Sequence, residues 1–216
     1  ICRAGDLALL VDADHGYGNA LSVRRTVEEL ETAGVAALTI EDTLLPAAYG
    51  AGRKQLISIE EGVGKMRAAL DARQDPRLII AARTSAVAFS GLEDAIARAR
   101  AYEAAGVDAL FLSGEMKTRA QLDAIAAAVK IPLMLGTAAG PELRDRDYLA
   151  SRRVRIFPQE GHLALYPAVR AAYAGLKAQR ERDSGTKIAG VAAEDVVKHL
   201  SRKQRYDQWE RDYLGG

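Results

Sequence analysis

Six short, nearly continuous apolar runs alternate with longer amphipathic stretches, and this alternation constrains the fold more than any other feature of the chain. The runs are Leu7–Val11, Ala36–Ile40, Leu78–Ala82, Ala109–Leu112, Leu133–Leu135 and Val154–Phe157. Rich in Leu, Ile and Val, they read as strands covered on both faces. Between them, three sets of apolar residues recur at helical spacing: Val23, Val27, Leu30 and Gly34; Ile59, Val63, Met66 and Leu70; Leu122, Ile125 and Val129. Gly34 and Gly106 stand where helix C-caps belong, just before the next strand. The segments Glu31–Ile40 and Glu103–Leu112 resemble one another, as repeated βα blocks do.

Strict βα alternation demands parallel strands with helical crossovers, so the expected class is α/β. An open doubly wound sheet and a (β/α)8 TIM-type barrel both satisfy it. An eight-unit barrel takes about 250 residues, whereas 216 residues hold roughly six units and a tail. A barrel therefore implies an N-terminal part upstream of Ile1; the alternative is a shorter α/β protein. The expected division is a barrel domain over 1–191 and a helical segment over 192–216. Trp209 and Tyr213, four apart in that segment, suit a capping helix or a contact with a neighbouring subunit.

Charge excludes several roles. Thirty Lys and Arg face 29 Asp and Glu, a net charge of +1, which offers no electrostatic grip on nucleic acid. No apolar run approaches the ~18 residues of a membrane span, and the chain does not open on a signal peptide. One cysteine, Cys2, permits no internal disulfide and no multi-cysteine zinc cluster. A cytoplasmic enzyme is expected.

Chemistry gathers at strand ends, where parallel α/β folds build their sites. The first strand runs into Asp12-Ala-Asp14-His15-Gly16-Tyr17-Gly18-Asn19. Carboxylates two apart on an extended segment project the same way, and two like charges held close call for a divalent cation. Mg2+ fits, since it takes one or two carboxylates and keeps several waters. Gly16 and Gly18 permit close backbone approach to a ligand. The plain alternative is a strand-to-helix turn with Asp14 or Asn19 as helix cap. Glu41 and Asp42 end the second strand; Glu41 can join the same metal shell directly or through water, while Asp42 can instead cap or brace the following loop. Arg83 ends the third, either as the partner of an anion or paired with Glu41 or Asp42. Of the histidines, His15 lies in the acidic turn, His162 is a candidate acid, anion contact or helix cap, and His199 sits in the polar tail.

These motifs resemble the isocitrate lyase/phosphoenolpyruvate mutase superfamily. The resemblance rests on Val11-Asp-Ala-Asp-His-Gly-Tyr-Gly-Asn19, Ala37-Leu-Thr-Ile-Glu-Asp-Thr-Leu-Leu-Pro46 and Ala82-Arg-Thr84. Glu60-Glu-Gly-Val-Gly-Lys-Met-Arg-Ala-Ala-Leu70 and Trp209-Glu-Arg-Asp-Tyr213 resemble its oxaloacetate decarboxylase branch. The resemblance implies a (β/α)8 barrel whose last helix is exchanged between subunits of a dimer of dimers, with two βα units and a substrate loop upstream of Ile1. It implies a 2-oxo acid substrate held by Mg2+, or Mn2+, with Asp14 on the metal and Asp12 and Glu41 acting through water. Arg83 would take the substrate carboxylate, His162 would sit over the substrate, and Tyr17 joins them as a catalytic candidate. Gly16 and Gly18 complete the substrate side. The implied reaction is decarboxylation of oxaloacetate, or a close relative, to pyruvate through an enolate stabilised by the metal as a Lewis acid.

Three positions depart from the pattern. The lyases carry a cysteine in the loop after the Glu-Asp strand, and the segment Pro46–Lys54 has none. Ala138 stands where the decarboxylase branch has tyrosine, and Ser85 where asparagine is usual. The missing cysteine argues against isocitrate-type cleavage. Phosphonopyruvate or phosphoenolpyruvate chemistry and a non-catalytic homologue are the remaining alternatives.

Overall fold

The computed structural model describes residues 1–47, 49–50, 52, 54–114, 116–136, 140–156, 165–183 and 193–215. It divides into two compact units, Ile1–Gln159 and Glu160–Gly216.

The first unit is built on one six-stranded sheet of β1 (Leu10–Asp12), β2 (Ala37–Glu41), β3 (Ile79–Thr84), β4 (Ala109–Leu112), β5 (Leu133–Leu135) and β6 (Val154–Ile156). All neighbours are parallel, and their spatial order is their chain order. That order decides between the two expected architectures. A doubly wound sheet reverses its order at a switch point. Here each right-handed crossover returns on the same side, so helices coat one face and the other becomes a barrel interior.

The crossovers carry α1 (Ala20–Thr32), α2 (Ile59–Ala72), α3 (Ala86–Phe89), α4 (Leu92–Ala105), α5 (Arg119–Ala128) and α6 (Arg146–Ser151). Their starts are capped by side chains. Asn19 accepts from the Leu21 and Ser22 amides, Ser58 from Glu61, and Thr118 and Gln121 form a reciprocal capping box. Gly106 closes α4 in the left-handed conformation expected of a C-cap.

Strand alternation sorts the side chains into two cores. Leu38, Ile40, Ile80, Ala82, Leu110, Leu112, Leu133 and Leu135 face the helices and bury against Val23, Val27, Met66, Ala99, Leu122 and Ile125. Each of the larger ones contributes roughly 1.5–3 kcal/mol on burial. Ala81, Ala109 and Met134, with Phe111, form a second cluster on the inner face. The residues in register with that inner set, Asp12, Glu41 and Arg83, emerge at the C-terminal mouth.

Two expectations need correction. The first strand begins at Leu10 rather than Leu7, whose side chain is 92% exposed. β1 pairs only with β2 among the described strands, so its start lacks the cover assumed for a central strand. The buried face of α2 adds Gly62, Lys65, Ala69 and Ala72 to the expected Met66, while Val63 and Leu70 of the expected stripe pack against the core only partly buried. A lysine turned inward rotates the helix away from its purely apolar reading.

The second unit holds α7 (Leu165–Glu181), α8 (Glu194–Leu200) and α9 (Lys203–Leu214). The compact units part between 159 and 160. On α7 the apolar residues Leu165, Tyr166, Val169, Tyr173 and Leu176 are all exposed. Within α9, Tyr206 meets Trp209 edge-on, with Arg205 over the indole. No helix among the described residues is long and apolar enough to cross a membrane.

Candidate active site at the C-terminal mouth of the sheet

Three strand ends bring their inward side chains together. Arg83, from β3, lies between two carboxylates. Its Nη1 donates to Asp12 Oδ2 of β1, and its Nε lies 3.2 Å from Glu41 Oε2 of β2. The same Nε donates to Ser113 Oγ at 3.2 Å, and Ser113 Oγ lies 2.8 Å from Ser85 Oγ. The Phe111 ring lies 5.5 Å from the guanidinium carbon, close enough for a cation–π contact. The second oxygen of Asp12 accepts from the Asp14 amide at 3.0 Å and the Thr39 hydroxyl at 3.4 Å. Glu41 is buried, while Asp12 is half exposed.

Asp14 is different. It is exposed, at φ +47°, and its carboxylate makes no hydrogen bond or ion pair with the described residues. The mouth therefore presents two acids committed to Arg83 and one acid left open. Three carboxylates against one guanidinium leave the cluster negative, which favours a further cation.

The residues after Asp14 make a tight turn. Gly16 and Gly18 have φ of +74° and +155°, and Tyr17, largely exposed, has +58°. A Cβ at Gly16 would meet Val23 Cγ2 at 2.3 Å, and one at Gly18 would meet Ser22 Oγ at 2.4 Å. The close approach these glycines permit is thus to α1. His15 faces Tyr17 edge-on at 6.1 Å, with its Nδ1 buried and without a hydrogen-bond partner among the described residues. Asn19, not Asp14, is the helix cap.

Asp42 leaves this group. It points to the helical side, fully buried, where Tyr102 Oη donates to it at 2.7 Å and Arg98 at 3.0 Å. Arg98 also binds the Ile57 carbonyl, and Asp42's own carbonyl takes the Ile57 amide. This is the bracing role, achieved from the core. Burial pushes the Asp42 carboxyl above the usual range, against the pull of Tyr102 and Arg98.

Sequence reasoning passed over Thr39, Ser113 and Lys65. The first two carry only hydroxyls, but their inward register on β2 and just past β4 would have placed them. Lys65 stands in the Glu60–Leu70 motif with no spacing that marks it as buried. Of the expected residues, His162 lies outside the described residues, as does Ala138. His199 is exposed on α8.

Mg2+ can be tested against this donor set. Among the described residues no three His, Cys, Asp or Glu side chains form a ready-made metal cage. Mg2+ requires none; one or two hard carboxylates and retained water suffice. The open Asp14 beside the hydrogen-bonded Asp12 and Glu41 fits that demand.

A parallel βα barrel sheet with an acidic, arginine-bearing mouth defines a class of enzymes that act at strand C-termini. The family model described as phosphoenolpyruvate phosphomutase matches residues 1–176, and the chain belongs to that family. It is 54% identical over 215 residues to a Rhodopseudomonas palustris (strain BisB5) protein named oxaloacetate decarboxylase, covering 100% of this chain and 73% of that one. A Bradyrhizobium diazoefficiens protein of the same name is 54% identical over 213 residues, covering 99% and 73%. Among solved structures, a phosphonopyruvate hydrolase complex with oxalate and Mg2+ matches with a TM-score of 0.79 at 31% identity, over 96% of this chain and 73% of that one.

Proposed function

We propose that this chain is a metal-dependent carboxy-lyase that converts oxaloacetate, or a close 2-oxo dicarboxylate, to pyruvate and CO2. The observation that carries the reading is the open Asp14 carboxylate beside an Arg83 guanidinium held in place by Asp12, Glu41 and Ser113. One group suits a divalent cation and the other a substrate carboxylate. The name shared by relatives at 54% identity supports this chemistry, and oxalate with Mg2+ in a related hydrolase supports the ligand class.

Asp14 would hold Mg2+, or Mn2+, directly, with Asp12 and Glu41 acting through water. When bound, the ion supplies a Lewis acid opposite the negative charge that grows on the 2-oxo oxygen as CO2 leaves. Arg83 binds and orients the substrate carboxylate, bidentately where its fork allows. Phe111 and the inner apolar cluster beneath it exclude water from that side. Tyr17 and His162 are the remaining catalytic candidates, and the Gly16 and Gly18 backbone belongs to the substrate side. The assembly is a dimer of dimers in the cytoplasm, with residues 192–216 packed on a neighbouring subunit. The exposed Trp209 and Tyr213 on α9 support that packing.

The test follows pyruvate release from oxaloacetate with Mg2+ and then with EDTA, after subtracting spontaneous and metal-only decarboxylation. EDTA-sensitive turnover is expected. Turnover of phosphonopyruvate with phosphate release, and none of oxaloacetate, would replace the reading with P–C bond hydrolysis.

A further inference from the structure

Four consecutive carbonyls of the turn after β1 are each taken by a different donor. Ala13 O accepts from the Gly16 amide at 2.8 Å and Asp14 O from the Glu41 amide at 2.6 Å. His15 O accepts from Lys65 Nζ at 3.0 Å, and Gly16 O from the Thr26 hydroxyl at 3.2 Å. The last three tie the turn to β2, α2 and α1. Asp14 and Tyr17 adopt positive φ, which side-chain-bearing residues hold only when their surroundings impose it. The turn is therefore fixed from outside.

Lys65 is the one charged donor in that set, and it is 3% exposed. Its direct partner is a neutral carbonyl, not a carboxylate. Burial lowers its pKa from the ordinary value, opposed by the nearby Glu61, Asp42 and Glu41. Burying an ammonium for one neutral hydrogen bond is a poor route to stability. Its use lies in where the carbonyl is held.

We propose that Lys65 is a positioning residue: by gripping the His15 carbonyl it fixes the peptide next to Asp14 and aims the Asp14 carboxylate at the metal. The proposal rests on the reading of Asp14 as the metal ligand. Partners one shell beyond the ligands typically set affinity by about 10–100-fold.

Mn2+ is the probe, with free ion counted by electron paramagnetic resonance in titrations of the whole chain and its variants. Lys65→Met keeps the length of the buried stem and removes the donor. Its Mn2+ dissociation constant should rise about tenfold or more, with Tm equal to or above that of the parent. Ile125→Val, in α5 away from the turn, should lower Tm and leave Mn2+ affinity unchanged, separating position from general loosening. Unchanged Mn2+ affinity in Lys65→Met overturns the proposal. Absence of Mn2+ binding by the parent chain overturns the metal reading instead. If Lys65→Met does not fold, Lys65→Gln takes its place; if neither folds, Lys65 is a folding residue and the proposal fails.

Discussion

Arg83 and Asp12 meet across an intervening strand: the guanidinium of β3 reaches past β2 to the carboxylate that ends β1. The contact is possible because both side chains point inward, Asp12 level with Thr39 and Ala81 and Arg83 two residues further along, level with Glu41. A single cation thus keeps two acids from repelling each other before any ligand arrives.

Arg83→Ala removes both the substrate's partner and that internal cation. Loss of a charge-assisted pair costs about 1.5–3 kcal/mol, so KM for oxaloacetate should rise by about ten- to a hundredfold. Mn2+ affinity without substrate should hold or improve, since the acids lose their competitor. A steady-state KM together with an Mn2+ titration checks both halves. Lysine should not restore KM, because a point charge cannot reproduce the fork.

Asp14→Asn should abolish metal-dependent turnover while leaving the fold alone. The side chain is exposed and unpaired among the described residues, and such surface changes stay within about 0.5 kcal/mol. Equal activity in the variant and its parent would remove Asp14 from the mechanism. Chemical denaturation supplies the stability half of the comparison.

Arg98→Met leaves Asp42 buried without its cation and should cost about 3–5 kcal/mol near pH 7. The cost should depend on pH. The folded-state pKa of Asp42 is raised above 3.8 by burial, so its contribution to stability is fully present below about pH 4 and is lost as pH rises through the folded value. Without Arg98 that value climbs further. The gap between variant and parent should therefore be small near pH 4 and widen toward pH 7 in urea titrations.

Two glycines of α2, two residues apart, should respond oppositely to alanine. At Gly64 a Cβ meets nothing within 4 Å, so Gly64→Ala should stabilise by about 0.5–1 kcal/mol through helix propensity. At Gly62 the Cβ would lie 2.4 Å from Tyr102 Oη. Overpacking of about 1–3 kcal/mol exceeds the propensity gain there, and Gly62→Ala should lower Tm.

The parallel α/β sheet was legible because every strand is an apolar run, and period-2 alternation carries Asp12, Glu41 and Arg83 to one side; the choice of a barrel over a doubly wound sheet came with the strand order. Where side chains violate the simple pattern, legibility failed. Lys65 and Arg98 are charged yet buried, and each is held by groups distant in sequence: the His15 carbonyl for one, Asp42 and the Ile57 carbonyl for the other. No local periodicity announces such partners. The glycines of the acidic turn were legible as turn residues, but not as seats for Val23 and Ser22. Ser113 carries only a hydroxyl, and its one signal was the inward register just past β4 that it shares with Phe111.

The bare backbone at Gly62 against the Tyr102 ring makes α2 a gauge as well as a cover. Tyr102 cannot retreat, because Asp42 clamps its hydroxyl. Lys65 stands less than one turn further along the same helix, with its amine on the His15 carbonyl. Any drift of α2 relative to α4 is transmitted to the acidic turn by a lever one side chain long. The spacing of two outer helices and the aim of an acid at the mouth are then a single mechanical variable, and Gly62→Ala should disturb both together.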